Sequence, residues 1–276
     1  IIIPLASEGK VLGTIIFATT KPHYYNQEDV RIGYLLALQV SSAIRNAERF
    51  QEINRLYSEL DAEKQKSDKL LLNVLPVEIA NELNVNGKED PVHYDQVSVL
   101  FTDFKGFTQL AEKMTPRELV DELDFCFSYF DRVVDKYGLE KLKTIGDSYM
   151  CASGIPKPRP THALDAVQVA LEILQFMELR KLHKVYEKTP YWDIRIGIHS
   201  GPLLAGVIGN KKFSYDVWGD TVNTASRMES SGVPGNVNIS KATFELVKDV
   251  FECEHRGKIY AKNKGELDMY LVRDLK

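Results

Sequence analysis

Two short stretches place a carboxylate where a strand should end. In Val97–Thr108 the apolar run Val-Ser-Val-Leu-Phe leads to Asp103 and then to a loop with Gly106. In Lys143-Thr-Ile-Gly-Asp147 a second carboxylate falls in a tight turn between the strand-like runs Leu139–Thr144 and Ser148–Ser153. A carboxylate at a strand end is a hard oxygen donor. It suits Mg²⁺, which keeps coordination positions open for phosphates. Free N–H groups in such a loop can also cradle phosphate oxygens. Either aspartate by itself is more often an ordinary turn residue. At neighbouring strand ends, two carboxylates can hold two divalent ions about 3.5–4 Å apart, activating an attacking oxygen and neutralising a leaving phosphate. A third stretch, Phe213–Met228, carries Asn223 and Arg227 four residues apart, hence on one helix face. An arginine there can offset phosphate charge in a transition state, although the spacing alone also describes a solvated surface helix. His199, at a strand end in Arg-Ile-Gly-Ile-His-Ser-Gly-Pro, reads as a hydrogen-bonded structural histidine rather than a base. The basic loop Lys157-Pro-Arg-Pro160 reads as a solvated connection.

Taken in order, the motifs are F-T-D-F-x-G-F-T, K-T-I-G-D-x-Y-M, R-I-G-I-H-S-G-P and Y-D-V-W-G-x-T-V-N-x-A-S-R-M. This series closely resembles the class III adenylyl and guanylyl cyclases over about residues 94–274. The resemblance implies an α+β catalytic domain with a ferredoxin-like βαββαβ core and extra C-terminal elements. It matches Asp103 and Asp147 to the family's metal-binding aspartates, with two Mg²⁺ or Mn²⁺ per site. Lys143 and Asp216 match the pair that reads adenine, where guanylyl cyclases carry Glu and Cys, so ATP is the implied substrate. Asn223 and Arg227 match the ribose-orienting and phosphate-contacting residues. Lys264, in Lys262-Asn-Lys264-Gly-Glu-Leu, aligns with the phosphate-binding lysine, and Lys262 lies close enough to compete for that role. In the family the sites are shared between two catalytic domains. A chain with the full set therefore implies a homodimer with two equivalent sites, making cyclic AMP and pyrophosphate by attack of the ribose 3′-oxygen. A guanylyl cyclase and a silent dimeric regulatory module are the competing readings. The GG[DE]EF signature of diguanylate cyclases is absent from the sequence.

These residues need elements to hold them. From Gln96 onward strand and helix patterns alternate, as expected of one sheet covered by helices. The helices expected are Thr115–Tyr137, Thr161–Lys188 and Thr221–Ser231, with Thr115 as cap and Pro116 at the first position. Strands are expected at Gln96–Phe101, Asp193–Ser200, Leu203–Gly209, Gly257–Lys262 and Glu266–Val272, and a strand turning into a helix over Ile239–Val250. Ahead of this domain, residues 1–26 read as strands around the turn Ser7-Glu8-Gly9-Lys10, and residues 27–75 as one long helix. Phe50, Ile53, Leu56 and Leu60, then Leu70 and Val74, form a heptad-like seam weakened at Glu63 and Ser67. A narrow seam on so long a helix is expected to pair with a second copy as a parallel coiled coil. Residues 76–93 read as a short helix and a polar loop around Gly87.

The strands of residues 1–26 and the following helix resemble the C-terminal end of a GAF sensor domain. Leu72–Pro76 with Ile79 and Leu83 resembles the transducer stretch that precedes such catalytic domains. The chain begins Ile1-Ile2-Ile3-Pro4 inside a strand-like run and is read as a piece of a longer protein, with a sensor domain in cis. With 276 residues, 44% hydrophobic and 27% charged, it is long enough for a sizeable core. Its net charge of −4 with no basic stripe argues against a nucleic-acid partner. The longest apolar runs are too short to span a bilayer, so no membrane contact is expected of this fragment. Three widely spaced cysteines show no metal or disulfide pattern and suit a cytoplasmic setting.

Overall fold

The computed structural model describes residues 1–72, 74–86, 90–209, 213–262 and 264–276. The chain divides into two compact units, Ile1–Leu70 and Leu71–Lys276. The expected loop around Gly87 lies outside the described residues.

In the first unit, β1 (Ile2–Ser7) and β2 (Lys10–Ile16) form an antiparallel hairpin, and α1 (Gln27–Leu72) begins with acidic Glu28 and Asp29 in its first turn. Asn26 caps the helix by accepting from the Glu28 and Asp29 N–H groups. Ile3 and Leu5 pack on Ala37, and Arg45 ties the hairpin turn down through Ser7 O at 2.6 Å. Beyond that small core the helix carries exposed Phe50, Ile53, Leu56, Tyr57 and Leu60.

In the second unit, a short helix α2 (Val77–Asn86) leads into β3 (Val92–Lys105). The elements β3, α4 (Pro116–Tyr137), β4 (Glu140–Ile145), β5 (Ser148–Ser153), α5 (His162–Glu187) and β6 (Asp193–Ile208) give the βαββαβ order. A short helix α3 (Phe107–Ala111) intervenes after β3. Then follow β7 (Ser214–Trp218), α6 (Asp220–Ser230), β8 (Asn236–Ser240), α7 (Lys241–Val247), β9 (Phe251–Ala261) and β10 (Gly265–Leu275). The sheet order is β4-β5-β3-β6-β8-β10-β9, with β7 pairing β6 to the side. The first four strands are antiparallel, which is the ferredoxin-like arrangement.

The α4 start has the expected Thr115 cap, and the structure completes it as a capping box, Thr115 Oγ1 accepting from the Glu118 N–H and the Glu118 carboxylate accepting from the Thr115 N–H. The two strands expected at 193–200 and 203–209 are one strand, β6. Pro202, which has no N–H to give, sits opposite the unpaired Asp95 and Gln96, so the β3–β6 ladder passes over it as a bulge. Strand β7 was not expected from the sequence, nor was α3.

Alternation along β3 sorts the core. Leu100 and Phe104 face a cluster with Phe130, Val134, Ile173, Ile194 and Ile198, under α4 and α5. Val97, Val99 and Phe101 face the other cluster, with Leu75, Ile79 and Ala80 of the α2 region and Ala225 of α6. Asp103 has the parity of the second face, the one on which α6 lies. Among the described residues no helix is long and apolar enough to cross a membrane.

Candidate functional site

The carboxylates predicted to hold metal are brought together. Asp103 stands near the end of β3, directly across from Arg195 of β6. Phe104 anchors that strand end, its ring stacked on Trp192 at 5.1 Å and on Phe127 at 6.0 Å between centroids. Asp147 occupies the β4–β5 turn. That turn needs a left-handed residue, and Gly146 supplies it at φ 64°. The Asp147 carboxylate lies near the Phe104 backbone N–H and beside the carboxylate of Asp103. Burial, and then the Asp103 charge, hold its pKa above the usual aspartate value.

Two residues complete this corner. The Arg195 guanidinium donates to Asp103 Oδ2 at 2.5 Å, and its Nε lies 3.0 Å from Glu229 Oε1 on α6. Burial pushes the Glu229 carboxyl up to about 7, with the Asp103 charge adding to the effect and Arg195 opposing it. Two adjacent, mutually repelling carboxylates with hard oxygen donors fit divalent cations that complete their coordination with water and phosphate. Among the described residues no three His, Cys, Asp or Glu side chains form a closed metal cage.

A second group forms between β4 and β7. Lys143 Nζ donates to Asp216 Oδ2 at 2.5 Å, and the other Asp216 oxygen accepts from the Val217 N–H at 2.9 Å. A fixed donor thus stands next to a fixed acceptor on the edge of the domain.

Helix α6 forms the third group. It lies directly on β6 because Gly197 has no side chain: a Cβ there would collide with the backbone of Met228 and Glu229. Thr221 fastens the first turn by donating to Pro202 O at 2.6 Å. Thr221, Thr224, Ala225 and Met228 are buried, which leaves Asn223 exposed and Arg227 half-buried. Among the described residues neither Asn223 nor Arg227 has a side-chain hydrogen bond or ion pair. The Lys264 ammonium donates to Asp220 at the first turn of the same helix, whereas Lys262 is exposed. His199 is bonded through Nδ1 to Ser240 Oγ at 2.7 Å, and burial lowers its pKa to about 4. It is a neutral structural group.

Among the described residues no hydrogen bond or ion pair joins Asn223, Arg227 or Lys264 to either aspartate or to the Lys143–Asp216 pair, although Glu229 ties α6 to the first group through Arg195. Sequence reasoning missed Arg195, Glu229 and Asp220. The period-2 pattern Arg195, Gly197, His199 against Ile194, Ile196, Ile198 marked Arg195 as facing away from the apolar layer. Only the strand register shows that its partner is Asp103.

Residues 89–274 match the family model of the adenylate and guanylate cyclase catalytic domain. The chain is 41% identical over 238 residues to human guanylyl cyclase C, covering 84% of this chain and 22% of that protein. It is also 41% identical over 225 residues to an adenylate cyclase of Mycobacterium tuberculosis, covering 77% of this chain and 48% of that protein. It therefore spans between about a fifth and a half of the curated relatives it matches. Among solved structures, the adenylyl cyclase CyaB from P. aeruginosa is similar with a TM-score of 0.65 at 28% identity, over 68% of this chain and 98% of that one.

Proposed function

The chain belongs to the adenylate and guanylate cyclase catalytic domain family, and on that premise we propose that it is an adenylyl cyclase, converting ATP to 3′,5′-cyclic AMP and pyrophosphate. The observation that carries the choice of base is the Lys143–Asp216 pair. Adenine offers a ring-nitrogen acceptor beside an exocyclic amine donor. An ammonium and a carboxylate held side by side meet both needs. Guanine presents the reverse pattern and would leave two polar groups mismatched, at about 1–3 kcal/mol each. Equal identity to a guanylyl and an adenylate cyclase favours neither base, so GTP is the alternative.

The other residues divide the work. Asp103 and Asp147 would hold the divalent cations. When bound, these supply Lewis acidity for the ribose 3′-oxygen and neutralise phosphate charge. Arg195 now occupies Asp103 and must yield that carboxylate. Asn223 orients the ribose, Arg227 offsets charge on the reacting phosphate, and Lys264 grips the triphosphate. The 3′-oxygen attacks the α-phosphorus, the bond to the β-phosphate oxygen breaks, and the hydroxyl proton passes to solvent. Asn223 and Arg227 have no partner within the described chain, which supports a site completed by a second copy. That homodimer would carry two equivalent sites. The exposed α1 seam, Phe50 to Leu60, would pair the two copies as a coiled coil and couple them to a sensor domain in cis.

The test is cyclic nucleotide formation from ATP or GTP, with Mg²⁺ or Mn²⁺, beside Asp103→Ala. Cyclic AMP from the parent chain and none from the variant is expected. Cyclic GMP as the main product would overturn the base assignment. No product from a chain shown to be dimeric would favour a silent regulatory module.

A further inference from the structure

Asp220 has no place in the assignment above, yet it holds one of its residues. Lys264 arrives from the β9–β10 turn, and its ammonium donates to the Asp220 carboxylate. The two side chains differ in burial: Lys264 is 21% exposed and Asp220 is 79% exposed. The lysine is thus the more enclosed partner, and Asp220 meets it from the solvent side. Hydrogen bonding from Lys264, foremost, holds the Asp220 carboxyl below its usual range, and His199 also lies within its field. Since burial keeps His199 neutral, it does not compete with Lys264 for the carboxylate. Asp220 opens α6, one turn before Asn223 and two turns before Arg227. An anion bound by Lys264 and Arg227 must therefore approach a carboxylate that already holds the lysine.

Resting on the cyclase reading, we propose that Asp220 is a positioning residue that occupies Lys264 in the empty site, releases it to the nucleotide's phosphates, and takes it back as pyrophosphate leaves. The carboxylate then acts as a stand-in for phosphate. It lowers affinity for both substrate and product, and it speeds release, a step that often limits turnover in enzymes.

The experiment is steady-state kinetics with magnesium ATP on the whole chain, comparing Asp220→Asn, Asp220→Ser, Asp220→Glu and Lys264→Gln, with the Asp220→Asn/Lys264→Gln double variant. Both neutral variants are expected to lower KM for ATP and the inhibition constant for pyrophosphate by roughly two- to five-fold, the range of an exposed ion pair. Asp220→Glu should stay near the parent, and the Lys264→Gln background should erase most of the shift. A rise in KM, no change in either constant, or the same shift with and without Lys264 would overturn the proposal while leaving the cyclase reading intact. A parent chain that forms no cyclic nucleotide would overturn both.

Discussion

The inner and outer faces of α6 teach different lessons about charge. On the inner face Glu229 joins Arg195 and Asp103 in a corner where every charge meets an opposite or competing one inside the chain. On the outer face Asn223 and Arg227, on the same helix, have no side-chain partner among the described residues. The corner resembles a loaded spring of carboxylates held by one guanidinium. The outer face is prepared but unengaged, as expected of groups whose ligand comes from elsewhere. The contrast is between charged groups that restrain one another within the chain and groups left open for a ligand.

The sharpest way to break this contrast is to remove one charge from each side. Asp147→Asn should cut turnover by roughly a thousand-fold or more, through loss of cation binding. Its thermal midpoint at pH 8 should equal or exceed the parent's, because the carboxylate it removes is buried beside another. Arg227→Ala should lower kcat by roughly 10²–10³-fold and leave the midpoint unchanged. If Arg227→Ala melted well below the parent, the outer face would be structural after all.

A smaller effect tests the platform under both faces. Gly197→Ala would force α6 away from β6 and should cost about 1–3 kcal/mol in denaturant unfolding, with lost activity following the displaced Arg227. Unchanged stability would show that the helix does not depend on that close approach.

The smallest effect concerns a carboxylate outside the site. Burial, reinforced by Glu78 and Asp135, pushes Glu140 up to about 7. Between the ordinary value near 4.5 and 7, the folded state keeps a proton that the unfolded chain has released. Stability therefore falls as pH rises through that window. Glu140→Gln should unfold later than the parent at pH 8, by about 1 kcal/mol, and equally at pH 4. An equal gain at both pH values would point to packing rather than charge.

Much of the second unit was legible because its signals are local. The Thr115 cap with Pro116 behind it, the apolar run of β3 and the tight turn at Gly146 each depend on neighbours a few residues away. Asp103, Asp147, Lys143, Asp216, Asn223, Arg227 and Lys264 stood out as members of long motifs. What stayed hidden depends on register and on close approach across the sheet. The Asp103–Arg195 contact joins residues 92 positions apart. The merging of two expected strands into β6 depends on a bulge in β3 that no property of Pro202 announces. Strand β7 is five residues long, too short for its alternation to separate it from the motif that contains it.

On the proposed cyclase reading, the two charge systems complete each other only across two copies of the chain. That claim is tested most directly by mixing two inactive variants, Asp103→Ala and Arg227→Ala, and measuring cyclic AMP formation. Random exchange makes half of the dimers mixed, each with one intact site, so the mixture should recover about a quarter of the parent's activity. A mixture that exchanges subunits yet stays as inactive as its components would contradict the claim and place a complete site within a single chain.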